Sequence, residues 1–372
     1  MRTIYLDHNA TTPVRPEVWD AMRPYMTETF GNPSSAHATG RKARQALEDA
    51  REKVAVLLGA APDEVTFTSG ATEANNLAIF GHRPSSAVAS HLEHPCVIEP
   101  LRRLEARGVP VQWLPVDSRG VIQTNAIPTD VALVCLMLAN HETGALQPVR
   151  AVAAALPPGA RLHCDAAQAA GKVPIDFAAL GAATLTASAH KFGGPKGVGV
   201  LLTKSGTELT PLTFGGHQQK GRRPGTEAVP LAVGTATALE LAVHNLAENA
   251  ARLAALRARL WDGLQHLGIS VVLNGPEIGA ADVVPTTLNV SFPDCRADVL
   301  LMALDLAGVA CSTGSACSSG SLLPSPVLRA MGVPEGALRS ALRFSLSPIQ
   351  TADEIDEALA RVVNCVARVR QE

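Results

Sequence analysis

The chain has 372 residues, 47% of them hydrophobic and 18% charged, a length that fits two domains with ample interior for a core. Its 32 Lys and Arg against 34 Asp and Glu leave a formal net charge of −2, which gives no electrostatic reason to expect nucleic acid or an acidic membrane as partner. No apolar run approaches the roughly 20 residues of a membrane span, and the opening MRTIYLDHNATTP has neither a signal-peptide h-region nor the look of a transit peptide, so a cytoplasmic protein is expected.

In chain order, Gly40 to Leu58 reads as a helix, with Ala43, Leu47, Ala50, Val54 and Leu57 at spacings of three and four and Gly59 as its stop. A strand over Glu64–Thr68 turns at Ser69-Gly70 into a second helix starting near Thr72. Further strands are expected at Ala87–Ser90, Val111–Leu114, Val131–Leu138, Arg161–Asp165, Thr184–Thr186 and Gly197–Leu202. Helical or loop stretches separate most of them, which argues for an α/β fold with a mainly parallel sheet covered by helices. After about residue 230 the pattern changes. Leu231 to Leu267 reads as long and helical, with Leu253, Leu256, Leu260, Leu264 and Leu267 on one stripe. Short strands follow at Val271–Leu273, Thr287–Ser291 and Ala341–Ser345. The last helix opens with Thr351 and Glu354 in capping-box spacing and turns Ile355, Leu359, Val362 and Val366 inward. This second part reads as a smaller α+β domain.

The seven cysteines are odd in number and scattered, which disfavours a disulfide framework or a zinc ribbon. Cys135 and Cys365 fall on apolar patterns and read as small buried hydrophobes. Cys317 lies instead among Gly and Ser, in Gly314-Ser315-Ala316-Cys317-Ser318-Ser319-Gly320, where a mobile nucleophile is expected; a surface linker with an incidental thiol is the alternative.

Three other stretches carry chemistry. Ser69-Gly70-Ala71-Thr72-Glu73, between strand and helix, reads either as an anion cradle at a helix N-terminus, with Thr72 adding a hydroxyl, or as a plain turn. Asp165 closes an apolar strand, where ligands of parallel sheets bind; it could pair with a pyridinium nitrogen or cap the next helix. Lys191, beside His190 in a Gly/Pro-rich turn after a strand, suits a Schiff-base amine, whereas Lys196 reads as a solvated loop lysine.

Taken together, these segments resemble a cysteine desulfurase of the NifS/IscS type, within the class V aminotransferase group of fold-type I pyridoxal-phosphate enzymes. The resemblance runs from Tyr5-Leu6-Asp7-His8-Asn9-Ala10-Thr11-Thr12-Pro13 to about Asp356. It includes Phe30-Gly31-Asn32-Pro33-Ser34-Ser35, Glu93-His94-Pro95, Ala139-Asn140-His141-Glu142-Thr143-Gly144, Asp165-Ala166-Ala167-Gln168, the stretch from Ser188 to Gly197, Arg222-Arg223-Pro224-Gly225-Thr226 and Arg343-Phe344-Ser345. The joint order of these segments is specific where each alone is not.

The resemblance implies a large domain over 13–250, and a small domain over 1–12 and 251–372 that carries the Cys317 loop. It implies pyridoxal 5'-phosphate bound through Lys191, with His94 stacked on the ring, Asp165 at the pyridine nitrogen and Gln168 at the ring hydroxyl. Gly70, Ala71, Thr72, Ser188 and His190 would bind the phosphate, with Thr226 reaching it from a second subunit of a homodimer. Asn140 and Arg343 would hold the carboxylate of L-cysteine, and the Arg343 fork suits that task. Lys191 would move the Cα proton, and the Cys317 thiolate, with His94 as a candidate base, would take the sulfur as a persulfide and leave L-alanine. The sulfur would pass to an acceptor such as an iron–sulfur scaffold or a tRNA-thiolation protein. No metal site is expected beyond cluster contact through Cys317. A selenocysteine lyase or another class V β-lyase is the alternative enzyme, and a non-catalytic sulfur carrier on the same fold is the alternative of a different class. The chain departs from the family pattern at His217-Gln218-Gln219-Lys220 and Ser347-Pro348, and ends early, at Glu372, for docking through an extended tail.

Overall fold

The computed structural model describes residues 2–266, 268, 270–314 and 324–370. The first half alternates strands and helices: β1 (Ile4–Tyr5), α1 (Pro16–Thr27), α2 (Ala38–Leu58), β2 (Val65–Thr68), α3 (Ala71–Gly81), β3 (Ala87–Ser90), α4 (Pro95–Glu105), β4 (Val111–Leu114), β5 (Leu133–Met137), α5 (Val149–Ala155), β6 (Arg161–Asp165), α6 (Phe177–Leu180), β7 (Thr184–Ser188) and β8 (Gly199–Thr203). The second half is richer in helix: α7 (Val229–His244), α8 (Leu246–His266), β9 (Val272–Leu273), β10 (Thr287–Ser291), α9 (Ala297–Leu306), β11 (Val309–Ala310), α10 (Pro326–Ala330), α11 (Glu335–Leu338), β12 (Ala341–Ser345) and α12 (Ala352–Val369).

Seven strands form the main sheet in the order β2-β8-β7-β6-β5-β3-β4. β8 runs antiparallel to both of its neighbours, β2 and β7, and the remaining pairs are parallel. The strands β5, β7 and β8 are buried along their whole length, and β6 in all but its first residue; burial on both faces goes with the apolar runs of β5 and β8, which do not alternate. The helix over 38–58 ends as its sequence indicates: Gly59 adopts a left-handed φ of 66° and donates to the carbonyls of Ala55 and Val56, a conformation that costs glycine little.

The predicted single helix over 231–267 is two helices. α7 stops at Asn245, whose φ of −103° and ψ of 19° leave the helical region. Asn competes well for helix ends through its short polar side chain, and no glycine or proline marks the break. The interruption has a packing consequence. α7 lies against α1 and α2, whereas α8 lies against α12 and β10.

Two large clusters of buried side chains result. The first fills the space around the seven-stranded sheet and also takes in Val327, Leu328, Met331 and Leu338 from late in the chain. The second joins Leu253, Leu256, Leu260 and Leu264 of α8 to Ile355, Val362 and Val366 of α12, over the three-stranded sheet β12-β10-β9. Each fully buried leucine there contributes about 1.5–3 kcal/mol of transfer free energy. Ile4 and Leu6 belong to this second cluster, because β1 pairs in parallel with β11. The capping box on α12 forms as expected, with the Thr351 side chain on the Glu354 amide and the Glu354 carboxylate on the Thr351 amide. Among the described residues no helix is long and apolar enough to cross a membrane.

Candidate active site

The carboxyl ends of β6 and β7 and the amino end of α3 open onto one cavity of about 480 Å³. Nine of the residues singled out above line it: Gly70, Ala71, Thr72, His94, Asp165, Gln168, Ser188, His190 and Lys191. They come from four separate stretches of chain, brought together because parallel strands put their C-terminal ends on one edge.

In the cavity wall lies the first turn of α3. Its N-cap position, Gly70, offers no side-chain cap, so the amides of that turn have no intrahelical acceptor and point outward. The turn is braced from outside. Glu73 accepts from the Ser69 amide at 2.7 Å and from Arg223 at 2.9 Å. Burial works against the Glu73 carboxylate, but the hydrogen bonds from Arg223 and Ser69 hold it below its usual range. Arg223 thus gives the segment 222–226 a structural role. Thr226 itself is exposed and is not in the cavity wall of its own chain.

Asp165, also in the cavity wall, is 5% exposed. One carboxylate oxygen accepts from the Ala167 amide at 2.9 Å and the other from Asn75 Nδ2 at 2.8 Å. The cap reading is therefore met in part, since the Ala167 contact closes a turn, but residues 166–170 form no α-helix. Gln168 donates to the Asn9 carbonyl at 2.9 Å and accepts from Lys172 Nζ at 2.8 Å. Burial, with help from the cations of Lys191 and Arg343, brings Lys172 down to about 7.

Lys191 lines the same cavity, its Nζ donating to the carbonyls of Asn9 and Ala10 at 2.6 and 2.9 Å. The N-terminal segment thereby becomes part of the cavity wall, together with Thr11, whose hydroxyl lies 3.1 Å from His190 Nδ1. Burial, and then the charges of Lys191, Lys196 and Lys172, lower His190 to about 4, so its ring is neutral at pH 7. Lys196 is solvent-exposed, as the sequence suggests, yet it also borders the cavity.

His94 is the N-cap of α4, with Nδ1 3.2 Å from the Cys96 amide. Burial lowers its pKa, and Lys191 adds to this against the pull of Asp165. The His141 ring meets it edge to face at 5.5 Å between centroids. His141 was not singled out as a site residue, although it sits inside a quoted motif. Its Nδ1 has no partner among the described residues, and burial, then the charges of His94, Arg343 and Lys191, push it well below its usual range.

Asn140 and Arg343 lie behind the wall, not in it. Asn140 Oδ1 accepts from the amides of Glu142 and Thr143, both at 2.9 Å, and its Nδ2 donates to the Leu92 carbonyl at 3.1 Å. Arg343 is 2% exposed. It pairs with Asp7 at 2.6 Å and donates to the carbonyls of His141 and Gly314, while its Nε lacks a partner among the described residues. Gln219, noted in the sequence as a departure, proves structural: its Oε1 accepts from the Phe67 amide at 2.9 Å and from Arg51 at 3.1 Å. Cys317 lies outside the described residues.

Residues 4–358 match the family model described as aminotransferase class-V. The chain is 40% identical to a protein named cysteine desulfurase IscS from Dictyoglomus turgidum over 99% of this chain and 96% of the relative. It is 42% identical to an IscS-like cysteine desulfurase from Mycobacterium tuberculosis over 99% and 97%. A solved NifS-like protein superposes with a TM-score of 0.92 at 36% identity, over 98% of this chain and all of the other. A structure described as SspA in complex with cysteine superposes at 0.81 with 34% identity, over 94% of this chain and all of the other.

Proposed function

As a member of the class-V aminotransferase family, and within it of the cysteine desulfurases, this chain is proposed here to remove sulfur from L-cysteine with pyridoxal 5'-phosphate held in the cavity around Lys191; we infer that Cys317 receives the sulfur. One observation carries the reading. Lys191 lines one cavity together with the uncapped N-terminus of a helix and the Asp165 carboxylate. That donor set fits a group with a phosphate on one side and a protonated ring nitrogen on the other. Gly70, Ala71, Thr72, Ser188 and His190 would take the phosphate, Asp165 the ring nitrogen, Gln168 the ring hydroxyl and His94 the ring face. When bound, the cofactor supplies an electron sink for the carbanion formed at Cα.

The remaining work falls to the protein. Lys191 is the base that takes the Cα proton and returns it, and it can do so because the amine is held at the carbonyl ends of Asn9 and Ala10. The carboxylate of cysteine is assigned to Arg343 and Asn140. Arg343 has a buried fork already suited to a carboxylate, which it satisfies with Asp7, and Asn140 keeps a second Nδ2 proton aimed only at the Met137 sulfur, 3.4 Å away, a weak acceptor. The thiolate of Cys317 attacks the substrate sulfur. The S–C bond breaks, a persulfide forms on Cys317, and protonation of the remaining carbon gives alanine. His94, in the cavity lining, is assigned as the group that accepts the Cys317 proton. The persulfide would then pass to an acceptor protein. A homodimer, with the second copy's Thr226 reaching the phosphate, accords with the exposed Trp19, Phe30 and Phe214, apolar surface that an isolated subunit would leave in water.

The test is incubation of the purified protein with L-cysteine, followed by mass analysis for a persulfide and assay of alanine. The expected result is a yellow protein that gains one sulfur on Cys317 and releases alanine. Cys317→Ser should retain the visible band and release no sulfide under reductant; full turnover by that variant would overturn the persulfide role. Lys191→Ala should lose the band, and its retention would overturn the lysine assignment.

A further inference from the structure

Asp165 is the inner end of a line of polar side chains that the proposed reaction does not use. On β6 the side chains of alternate residues share a face, so Arg161, His163 and Asp165 point the same way. α3 packs against that strand and presents Asn75, with its C-cap residue His82 seven residues and two helical turns further on. Thr184 of β7 stands between. The two spacings match over about 10–13 Å, and the side chains meet in series. Arg161 lies 3.2 Å from His82 Nδ1, His82 Nε2 3.4 Å from Thr184 Oγ1, and Thr184 Oγ1 2.9 Å from His163 Nδ1. His163 Nε2 is 3.0 Å from Asn75 Oδ1, and Asn75 Nδ2 is 2.8 Å from Asp165 Oδ2.

The end groups fix every proton between them. A guanidinium can only donate and a carboxylate can only accept. His82 must therefore accept at Nδ1 and carry its proton on Nε2, which leaves the Thr184 hydroxyl to donate to His163 Nδ1. His163 then carries its proton on Nε2 and donates to Asn75 Oδ1, and the Asn75 amide can face Asp165 only with its NH2. Both histidines must be neutral for this to hold, and both are. Burial, then the nearby Arg161, lowers His82 to about 4; burial, then His82, lowers His163 to about 3. His163, Asn75 and Thr184 have no solvent exposure, so no water can replace a lost partner. The second Asn75 proton goes to the Cys96 sulfur at 3.0 Å, and that sulfur lies 2.9 Å from His94 Nδ1.

We propose that Arg161, His82, Thr184, His163 and Asn75 form a one-way chain of hydrogen-bond donors that positions Asp165 as an acceptor for the cofactor's ring nitrogen. This rests on the reading that Asp165 faces such a cofactor. The five are positioning residues: none of them reaches the cavity wall, whereas Asp165 does. The chain does two things for Asp165. It orients the carboxylate from behind, leaving lone pairs on both oxygens toward the cavity, and it aims successive N–H and O–H dipoles at the negative charge.

The experiment uses Thr184, which touches neither Asp165 nor the cavity. In the cofactor-loaded protein, Thr184→Val removes the donor to His163 while conserving shape. The pH midpoint of the visible band should rise, by up to about one pH unit for one hydrogen bond, because a less firmly held Asp165 leaves the ring nitrogen less protonated. Thr184→Ser should restore it. A midpoint equal to wild type in Thr184→Val would overturn the proposal, since a packing role alone would not require it to move. The second measurement needs no variant. Long-range nitrogen–proton correlation spectra of histidine-labelled protein, recorded without cofactor, should show His163 neutral with its proton on Nε2 from pH 5 to 9. The opposite tautomer, or an imidazolium in that range, would overturn the chain by itself. Failure of the protein to take up any cofactor would instead sink the reading that Asp165 faces one.

Discussion

Glu142→Gln is expected to change the pH dependence of stability by a calculable amount. Glu142 has no solvent exposure. One carboxyl oxygen accepts from Ser325 at 2.6 Å, and the other has no hydrogen-bond partner among the described residues, with His141 Nε2 3.7 Å away. Burial raises its pKa from 4.5 to about 7, against the opposing pull of Ser325 and Arg343. The folded protein thus keeps this proton between pH 4.5 and 7 while the unfolded chain releases it. Where the folded state binds more protons, stability falls as pH rises. At about 1.4 kcal/mol per pH unit, the group withdraws about 3 kcal/mol of stability across that window and nothing further above it. The amide of Gln has the same shape, can accept from Ser325 and does not titrate. Close packing makes shape matter here: a Cβ at Gly314, which has a φ of 113°, would lie 2.5 Å from Glu142 Oε2. The assay is urea unfolding of both proteins at intervals from pH 4.5 to 8. The variant should gain on wild type by about 3 kcal/mol between pH 4.5 and 7 and hold that gain to pH 8. A difference that stays flat across the window would refute the reasoning.

Thr351→Ala removes one half of the α12 capping box and should cost about 1 kcal/mol, read as a lowered urea midpoint with unchanged cofactor uptake. Cys135 and Cys164 are fully buried, and burial, assisted by the nearby Glu93 carboxyl and for Cys164 first by Asp165, raises both thiols well above 9. Neither should be alkylated in the folded protein, and both should be after denaturation. Mass analysis of labelled peptides decides this, and modification of either at neutral pH without unfolding would contradict the placement.

Long apolar runs made most strands readable from sequence alone. Ala87–Ser90, Val111–Leu114, Arg161–Asp165, Thr287–Ser291 and Ala341–Ser345 begin and end where expected. Strand direction was less visible. β8 runs against β7, and the reason lies in the connection: residues 189–198 are too few and too turn-rich for the crossover a parallel pair needs. The two-residue strands β1 and β11 are too short to show any period. The break at Asn245 carries no glycine or proline to announce it.

The cavity lining was legible from ordered motifs, since Gly70, Asp165 and Lys191 stand at or within three residues of the ends of β2, β6 and β7. The partners of Arg343 were not. Asp7 lies 336 positions away, and nothing local connects them. His163 was hidden for a different reason. It stands inside a buried strand, where a lone histidine reads as a tolerated core residue until the helix opposite supplies its bonding partners.

The pairing of β1 with β11 joins Ile4 to Val309, and it has a consequence for synthesis. The first dozen residues supply the carbonyls that receive Lys191, yet their own strand partner is among the last parts of the chain to leave the ribosome. Contacts of such sequence separation form late, because the intervening loop must be closed before they reward it. The sheet around residues 65–203 can assemble during translation; the amine and its cradle cannot meet in final geometry until over three hundred residues have been made. The nascent chain therefore holds Lys191 in an incomplete pocket, and the complete cavity wall arrives near the end of synthesis.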